Sequence, residues 1–350
     1  MIPTRAAGCL AVLCLGLVAS AARAEISGQE RAQAAGRAIV GAAAPRTVLH
    51  TIDGQSIDLG DLYGKKAVYL KFWATWCAPC REQMPHFEHA YETAGEGLAV
   101  IAIDVGFNDS IEAIRTYRKQ LGITMPIVFD DGNLANAFHL RVTPTHIVIG
   151  RDGRIQYVGH LADARLDAAL NAARAPAAFA GARGGHAKAL RSREDAPAVE
   201  IGGLVPQLAV RTIDGRRFEL RGDPSPRQIT VLVFISPWCE SYLATTRPEV
   251  SKNCRDVRLQ VGALAEDSRV RWLGIASGLW ANRDDLRHYK SEYDVRIPLT
   301  LDESGGVFRA FRVNNVPTVF IADAHGRLLR RLEGGESQNA AAIRNAVDGL

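Results

Sequence analysis

Two cysteines separated by two residues, Cys77 and Cys80, stand inside Phe72-Trp73-Ala74-Thr75-Trp76-Cys77-Ala78-Pro79-Cys80. Thiols at that spacing can close a disulfide on each other. A thiolate on the first can attack a disulfide elsewhere, and the second can then resolve the mixed disulfide. Such chemistry needs the first sulfur reachable by a partner and held where its anion is stabilised. The apolar run Ala67-Val68-Tyr69-Leu70 before the pair reads as a buried strand, and Arg81-Glu82-Gln83-Met84 after it as helix. Cys77 therefore falls at a helix N-terminus, where free backbone N–H groups and the dipole favour a thiolate. Half a zinc site and two buried thiols are the competing readings. Zinc needs two further ligands at similar spacing, and the sequence holds no second Cys-x-x-Cys. The strand–turn–helix setting favours redox exchange.

The chain has 350 residues, enough for about two domains. Its composition, 47% hydrophobic and 23% charged, is that of a globular protein. A formal charge of +4 and the lack of any Lys/Arg run leave no nucleic-acid footprint. Residues 1–24 read as a secretory signal peptide: Arg5, then the apolar Ala11 to Ala19, then the small-x-small site Ala22-Arg23-Ala24. The apolar stretch is short for a membrane span, so cleavage before Glu25 is expected, with no stable membrane insertion afterwards. Cleavage removes Cys9 and Cys14 and lowers the charge to +2. The remaining cysteines are Cys77, Cys80, Cys239 and Cys254. An exported dithiol protein fits the periplasm, where disulfides form.

After an Ala-rich lead-in at 25–44, the turn Asp53-Gly54 joins two alternating runs as a hairpin. The active-site strand and helix follow, with Pro85 expected to kink that helix. A strand at Leu98 to Val105 and a helix at Ser110 to Leu121 come next. Then come Ile127-Val128-Phe129, a turn and short helix, a strand opened by Val142-Thr143-Pro144-Thr145, its return at Ile155 to Val158, and a helix over Asp163 to Arg174. The second half repeats the order. Thr212-Ile213-Asp214-Gly215 matches Thr51-Ile52-Asp53-Gly54, Trp238-Cys239 matches Trp76-Cys77, and Pro317-Thr318 matches Pro144-Thr145. Between the halves, 175–199 is rich in Ala, Gly and Arg and reads as a linker.

With these motifs in place, residues 45–174 resemble the TlpA/ResA-like branch of the thioredoxin superfamily. The resemblance rests on the Asp-Gly hairpin, Phe-Trp-Ala-Thr-Trp-Cys-Ala-Pro-Cys-Arg, Met84-Pro85 and Val142-Thr143-Pro144-Thr145. Residues 200–350 look like a diverged copy. The resemblance implies an α/β fold of two tandem thioredoxin-like domains, each a central mixed β-sheet flanked by helices. It makes Cys77 the nucleophile and Cys80 the resolving cysteine, with Pro79 shaping the turn. It implies a cis Pro144 beside the dithiol, where the Thr143 backbone would face an extended client segment; the bland alternative is a strand-start proline. Trp76 either covers the disulfide and offers a partner an apolar surface, or simply packs.

Two positions depart from the family. Lys71 stands where thioredoxins proper carry an acid, and Gln83 where this branch often does. An inward Lys71 would favour the Cys77 thiolate, but the expected placement is a lysine snorkelling to the strand edge. Glu82 could partly replace the missing acid from a different helix face. His86 and His89 are expected on a helix surface, and His50, His146 and His288 carry no motif.

In the second half Tyr242 takes the resolving-cysteine position, so no Cys-x-x-Cys bond can close there. Cys254 lies fifteen residues after Cys239, roughly 22 Å along a straight helix. Pro248 would break that helix and permit a fold-back. A Cys239–Cys254 disulfide, redox-active or structural, two buried thiols, and a reactive lone Cys239 all stay open; Pro317 is the cis-proline counterpart.

The expected function is a periplasmic thiol-disulfide oxidoreductase acting through Cys77 and Cys80, with the reductase direction implied by family. It needs no organic cofactor or metal, only the redox-active disulfide. Partners would be client proteins bearing thiols or disulfides and a DsbD-type membrane thiol reductase. One rival reading is a copper or haem-pathway metallochaperone using Cys and His ligands. Another is a structural adaptor whose second half is the partner surface.

Overall fold

The computed structural model describes residues 28–174, 199–221, 228–333 and 339–349. The expected signal segment, and the linker apart from residue 199, lie outside the described residues.

Helical residues 28–36 (α1) lead into the hairpin β1 (Val48–His50) and β2 (Ser56–Asp58), paired antiparallel across the Asp53-Gly54 turn. A short α2 (Leu59–Leu62) follows, with the Asp58 carboxylate accepting from Gly60 N at its start. The first sheet has the order β5-β4-β3-β6-β7. Its strands are β3 (Ala67–Trp73), β4 (Leu98–Asp104), β5 (Ile127–Phe129), β6 (Thr145–Ile149) and β7 (Ile155–Gly159). β3 runs parallel to β4 and antiparallel to β6, so the sheet is mixed. Helices α3 (Ala78–Glu82), α4 (Met84–Glu92), α5 (Ile111–Leu121), α6 (Asn133–Ala137) and α7 (Ala164–Arg174) flank it. β3 is buried at every position. A strand covered on both faces reads as a continuous apolar run, as this one does.

The second half has the same plan. A hairpin of β8 (Ala209–Arg211) and β9 (Arg217–Glu219) precedes a sheet of order β12-β11-β10-β13-β14. These strands are β10 (Ile229–Ile235), β11 (Val270–Ser277), β12 (Leu299–Asp302), β13 (Thr318–Ala322) and β14 (Leu328–Glu333). The helices are α8 (Cys239–Thr246), α9 (Pro248–Leu264), α10 (Arg283–Glu292), α11 (Gly306–Ala310) and α12 (Asn339–Asp348). β10 is parallel to β11 and antiparallel to β13, the pairing of β3 with β4 and β6. The chain is thus two mixed α/β sheets flanked by helices, built on one topology.

The helix after the dithiol does not kink at Pro85. It breaks at Gln83, which is the C-cap of α3 and the N-cap of α4, and Pro85 sits in the first turn of α4. A missing N–H is tolerated there because that donor has no intrahelical partner. One hydrophobic cluster fills the first sheet's interior and continues through Trp76 and Phe107 into Cys239, Leu243 and Phe308 of the second half.

Candidate active site

Cys77 and Cys80 form a disulfide with Cα atoms 5.2 Å apart, at the turn from β3 into α3. Cys77 is the N-cap of α3, in extended conformation, and its Sγ accepts from Cys80 N at 3.2 Å. Because α3 has only five residues, the stabilisation of a thiolate comes from this first-turn N–H rather than from a long helix. Pro79 lies in the first turn, where its missing donor is tolerated.

Pro144 follows a cis peptide bond after Thr143, and Pro317 follows one after Val316. His160 Nδ1 donates to Pro144 O at 2.7 Å and fixes that loop; its own backbone N–H is taken by the Gln29 side chain from α1.

Lys71 does not snorkel. It is 0% exposed, its Nζ lies 3.3 Å from Cys80 O, and its ammonium sits 5.3 Å from the centroid of the Phe87 ring. Burial pushes its pKa down to about 7. The physical reason is the central position of β3, which leaves no edge for a side chain to reach.

Opposite Lys71 in the β3–β6 register is His146, a residue to which the sequence assigned no role. Its ring bridges Tyr69 OH (2.8 Å) and Gln83 Oε1 (2.8 Å). A carboxamide oxygen only accepts, so Nε2 carries the hydrogen and Nδ1 accepts from the tyrosine hydroxyl. This is a neutral imidazole, in keeping with burial, and secondarily the nearby Lys71, driving its pKa well down. Gln83 Oε1 also accepts from Ala162 N at 3.0 Å. The amide oxygen thus serves donors that a carboxylate would serve, without a buried charge. Glu82 is exposed on α3.

A second polar cluster, invisible in the sequence, supports the loop before the dithiol. Asp109 accepts from Thr75 N (2.7 Å) and Thr75 Oγ1 (2.8 Å). Asp104 lies fully buried nearby, accepting from Gly106 N at 2.9 Å. Burial, and then the neighbouring Asp109 charge, raise its pKa well above the usual carboxylate range.

Trp76 is 1% exposed and donates from Nε1 to Phe107 O at 2.6 Å. Its face is covered by Trp238 of the second half at 5.0 Å between centroids, so it offers no free partner surface in this arrangement. The surrounding contacts between the halves are reciprocal. Asn108 and Trp280 follow β4 and β11 with φ of 51° and 57°. Asn108 N donates to Asn314 O and Trp280 N to Arg141 O, both at 2.8 Å. The Asn108 side chain accepts from Val316 N, and Trp280 Nε1 donates to Thr143 Oγ1, each reaching the residue before a cis-proline. Tyr242 OH accepts from Ala78 N at 3.1 Å, and Arg247 donates to Thr75 Oγ1 and pairs with Asp109 at 3.4 Å. The matching faces of the two halves are packed against one another. Within this packing Cys77 is 1% and Cys80 0% exposed.

Cys239 and Cys254 are bridged, with Cα atoms 6.3 Å apart. The chain turns at Arg247, Pro248 starts α9, and α9 folds back along α8. His86 pairs with Asp167 of α7 at 2.9 Å, and His89 is exposed on α4.

Residues 40–158 match the model of the AhpC/TSA family. ResA of Bacillus subtilis, a thiol-disulfide oxidoreductase, is 34% identical over 117 residues, covering 33% of this chain and 64% of that protein. ResA of Bacillus anthracis is 33% identical over 135 residues, covering 37% of this chain and 76% of that protein. The chain belongs to the ResA-like family of thiol-disulfide oxidoreductases. The matched part spans just under two thirds of the Bacillus subtilis ResA and about a third of this chain. Among solved structures, a thiol:disulfide interchange protein of the thioredoxin family from Chlorobium tepidum is 30% identical, covering 38% of this chain and 95% of that one, with a TM-score of 0.35. An exposed lipoprotein thioredoxin from Streptococcus pneumoniae is 27% identical, covering 37% and 98%, with a TM-score of 0.34.

Proposed function

We propose that this ResA-like protein exchanges disulfides with client proteins in the periplasm, in the reducing direction, through Cys77 and Cys80. The observation that carries the reading is the Cys77–Cys80 bridge at the start of α3, with Cys77 Sγ on the Cys80 N–H. In the reduced protein the Cys77 thiolate attacks one sulfur of a client disulfide. A Cys77–client bond forms, and the other client sulfur leaves as a thiolate that takes up a proton. Cys80, as its thiolate, then attacks Cys77 Sγ, restoring the Cys77–Cys80 bond and freeing the second client thiol. Two electrons pass from the dithiol to the client. Export through residues 1–24 would deliver the chain to the periplasm, and a membrane thiol reductase of the DsbD type would return the electrons.

The test is trapping with Cys80→Ser. Reduced variant incubated with periplasmic extract should yield mixed disulfides on Cys77 that dithiothreitol dissolves. Absence of any Cys77 adduct, with the variant folded, would remove the oxidoreductase reading.

A further inference from the structure

An attacking thiolate must be reachable, yet Cys77 is 1% exposed and the second half packs over the Trp76–Ala78 loop that carries it. An extended client would pair with the backbone edge at Thr143 and lie about 4.8 Å from it. That edge is covered: Trp280 N donates to Arg141 O, two residues before Thr143, Trp280 Nε1 donates to Thr143 Oγ1, and its ring stands 5.6 Å from that of His160. On the other side of the disulfide, Tyr242 OH takes Ala78 N. An opening borders Cys77. It is a cleft of about 540 Å³ between α3, α5 and the α8–α9 junction, lined by Cys77, Arg81, Glu82, Tyr117 and Arg247. That volume lies within the range of small-molecule sites, roughly 300–1,000 Å³.

We propose that the second half is a built-in occupant of the client groove and selects substrates by size. Docked, it slows exchange with protein disulfides, which need the halves to part, and leaves Cys77 readily open to small disulfides that enter through the Arg81–Arg247 cleft. Its fit comes from duplication: a face built on the same plan meets its own counterpart, so each residue before a cis-proline is hydrogen-bonded to the other half, Val316 N donating to the Asn108 side chain and Thr143 Oγ1 accepting from Trp280. The inference rests on the exchange reaction proposed above. With a small disulfide RSSR the Cys77 thiolate bonds to one sulfur and expels RS⁻. Cys80 thiolate then closes the Cys77–Cys80 bond and expels the second. The dithiol loses two electrons, and two RSH form once protons are taken from water.

The test compares two oxidants of the reduced full-length chain, hydroxyethyl disulfide and insulin, following closure of the Cys77–Cys80 bond by alkylation and mass analysis. Trp280→Ala and Tyr242→Ala weaken docking; Tyr242 is 39% exposed and Trp280 lies partly exposed at the junction, so neither supports a core. Wild type should oxidise readily with the small disulfide and slowly with insulin. Each variant should speed the insulin reaction about tenfold, as expected when a hydrogen bond and a ring contact between the halves are lost, and change the small-disulfide rate less than about twofold. Insulin rates equal to wild type in both folded variants would overturn the proposal, as would a wild type that takes both oxidants equally fast. Failure of both oxidants in all three proteins would overturn the exchange reaction itself, and this inference with it.

Discussion

Replacing Lys71 with methionine should stabilise the oxidised protein, and by more at pH 6 than at pH 9. Lys71 is wholly buried, and among the described residues it has no ion-pair partner; its ammonium meets only the Cys80 carbonyl and the Phe87 ring. Its pKa falls from the ordinary 10.5 to about 7 because burial disfavours the charged form. The folded-state value lies below the unfolded one, so between about pH 7 and 10.5 the unfolded chain holds more protons. Stability therefore rises with pH through that window. The penalty is full below pH 7 and on the order of 5 kcal/mol. Between pH 6 and pH 9 about 3 kcal/mol of it is relieved. Methionine, similar in length and without charge, carries no such penalty at either pH. The advantage of Lys71→Met over wild type should thus shrink by ~3 kcal/mol from pH 6 to pH 9. Neighbouring His146, held neutral by burial, is common to both proteins and largely cancels in the difference. Urea unfolding of both proteins at the two pH values reads this directly. An advantage that stays constant within about 1 kcal/mol would show that Lys71 does not titrate in this window, and would refute the reasoning from burial.

Two further outcomes follow from the same geometry. Cys239→Ser with Cys254→Ser removes a bridge between residues fifteen apart, and should lower stability by about 3 kcal/mol in urea while Cys77 and Cys80 still cycle. Gly106→Ala should destabilise by roughly 2 kcal/mol or more, because φ there is +62° and a Cβ would collide with the Asp130 carbonyl; calorimetry would show it as a lowered Tm.

The chemistry-bearing pair was legible because it sits at a junction marked in the local sequence, strand into turn into helix; the proline before β6 was singled out by the family resemblance. The duplicated topology was legible from landmarks recurring in one order. Lys71 was misplaced, although the signal was present. Ala67 to Trp73 is apolar at every position but one, which marks a strand covered on both faces, and a lysine within such a run has no edge to reach. His146 was missed because its role depends on register: it lies opposite Lys71 only once β6 pairs with β3. The Cys239–Cys254 bridge depends on how α9 folds back after Arg247, which residue spacing alone does not set. Docking of the two halves leaves no periodic trace. It arises from single residues, Asn108 and Trp280, that acquire their geometry after the sheets have formed.

The measurement closest to the core of this account is a thiol map of the native full-length protein across a dithiothreitol redox series, with alkylation and peptide mass analysis at positions 77, 80, 239 and 254. The account predicts that Cys77 and Cys80 open and re-close together as a two-electron couple without unfolding. A native protein whose Cys77 and Cys80 stay bridged until the fold is lost would contradict it.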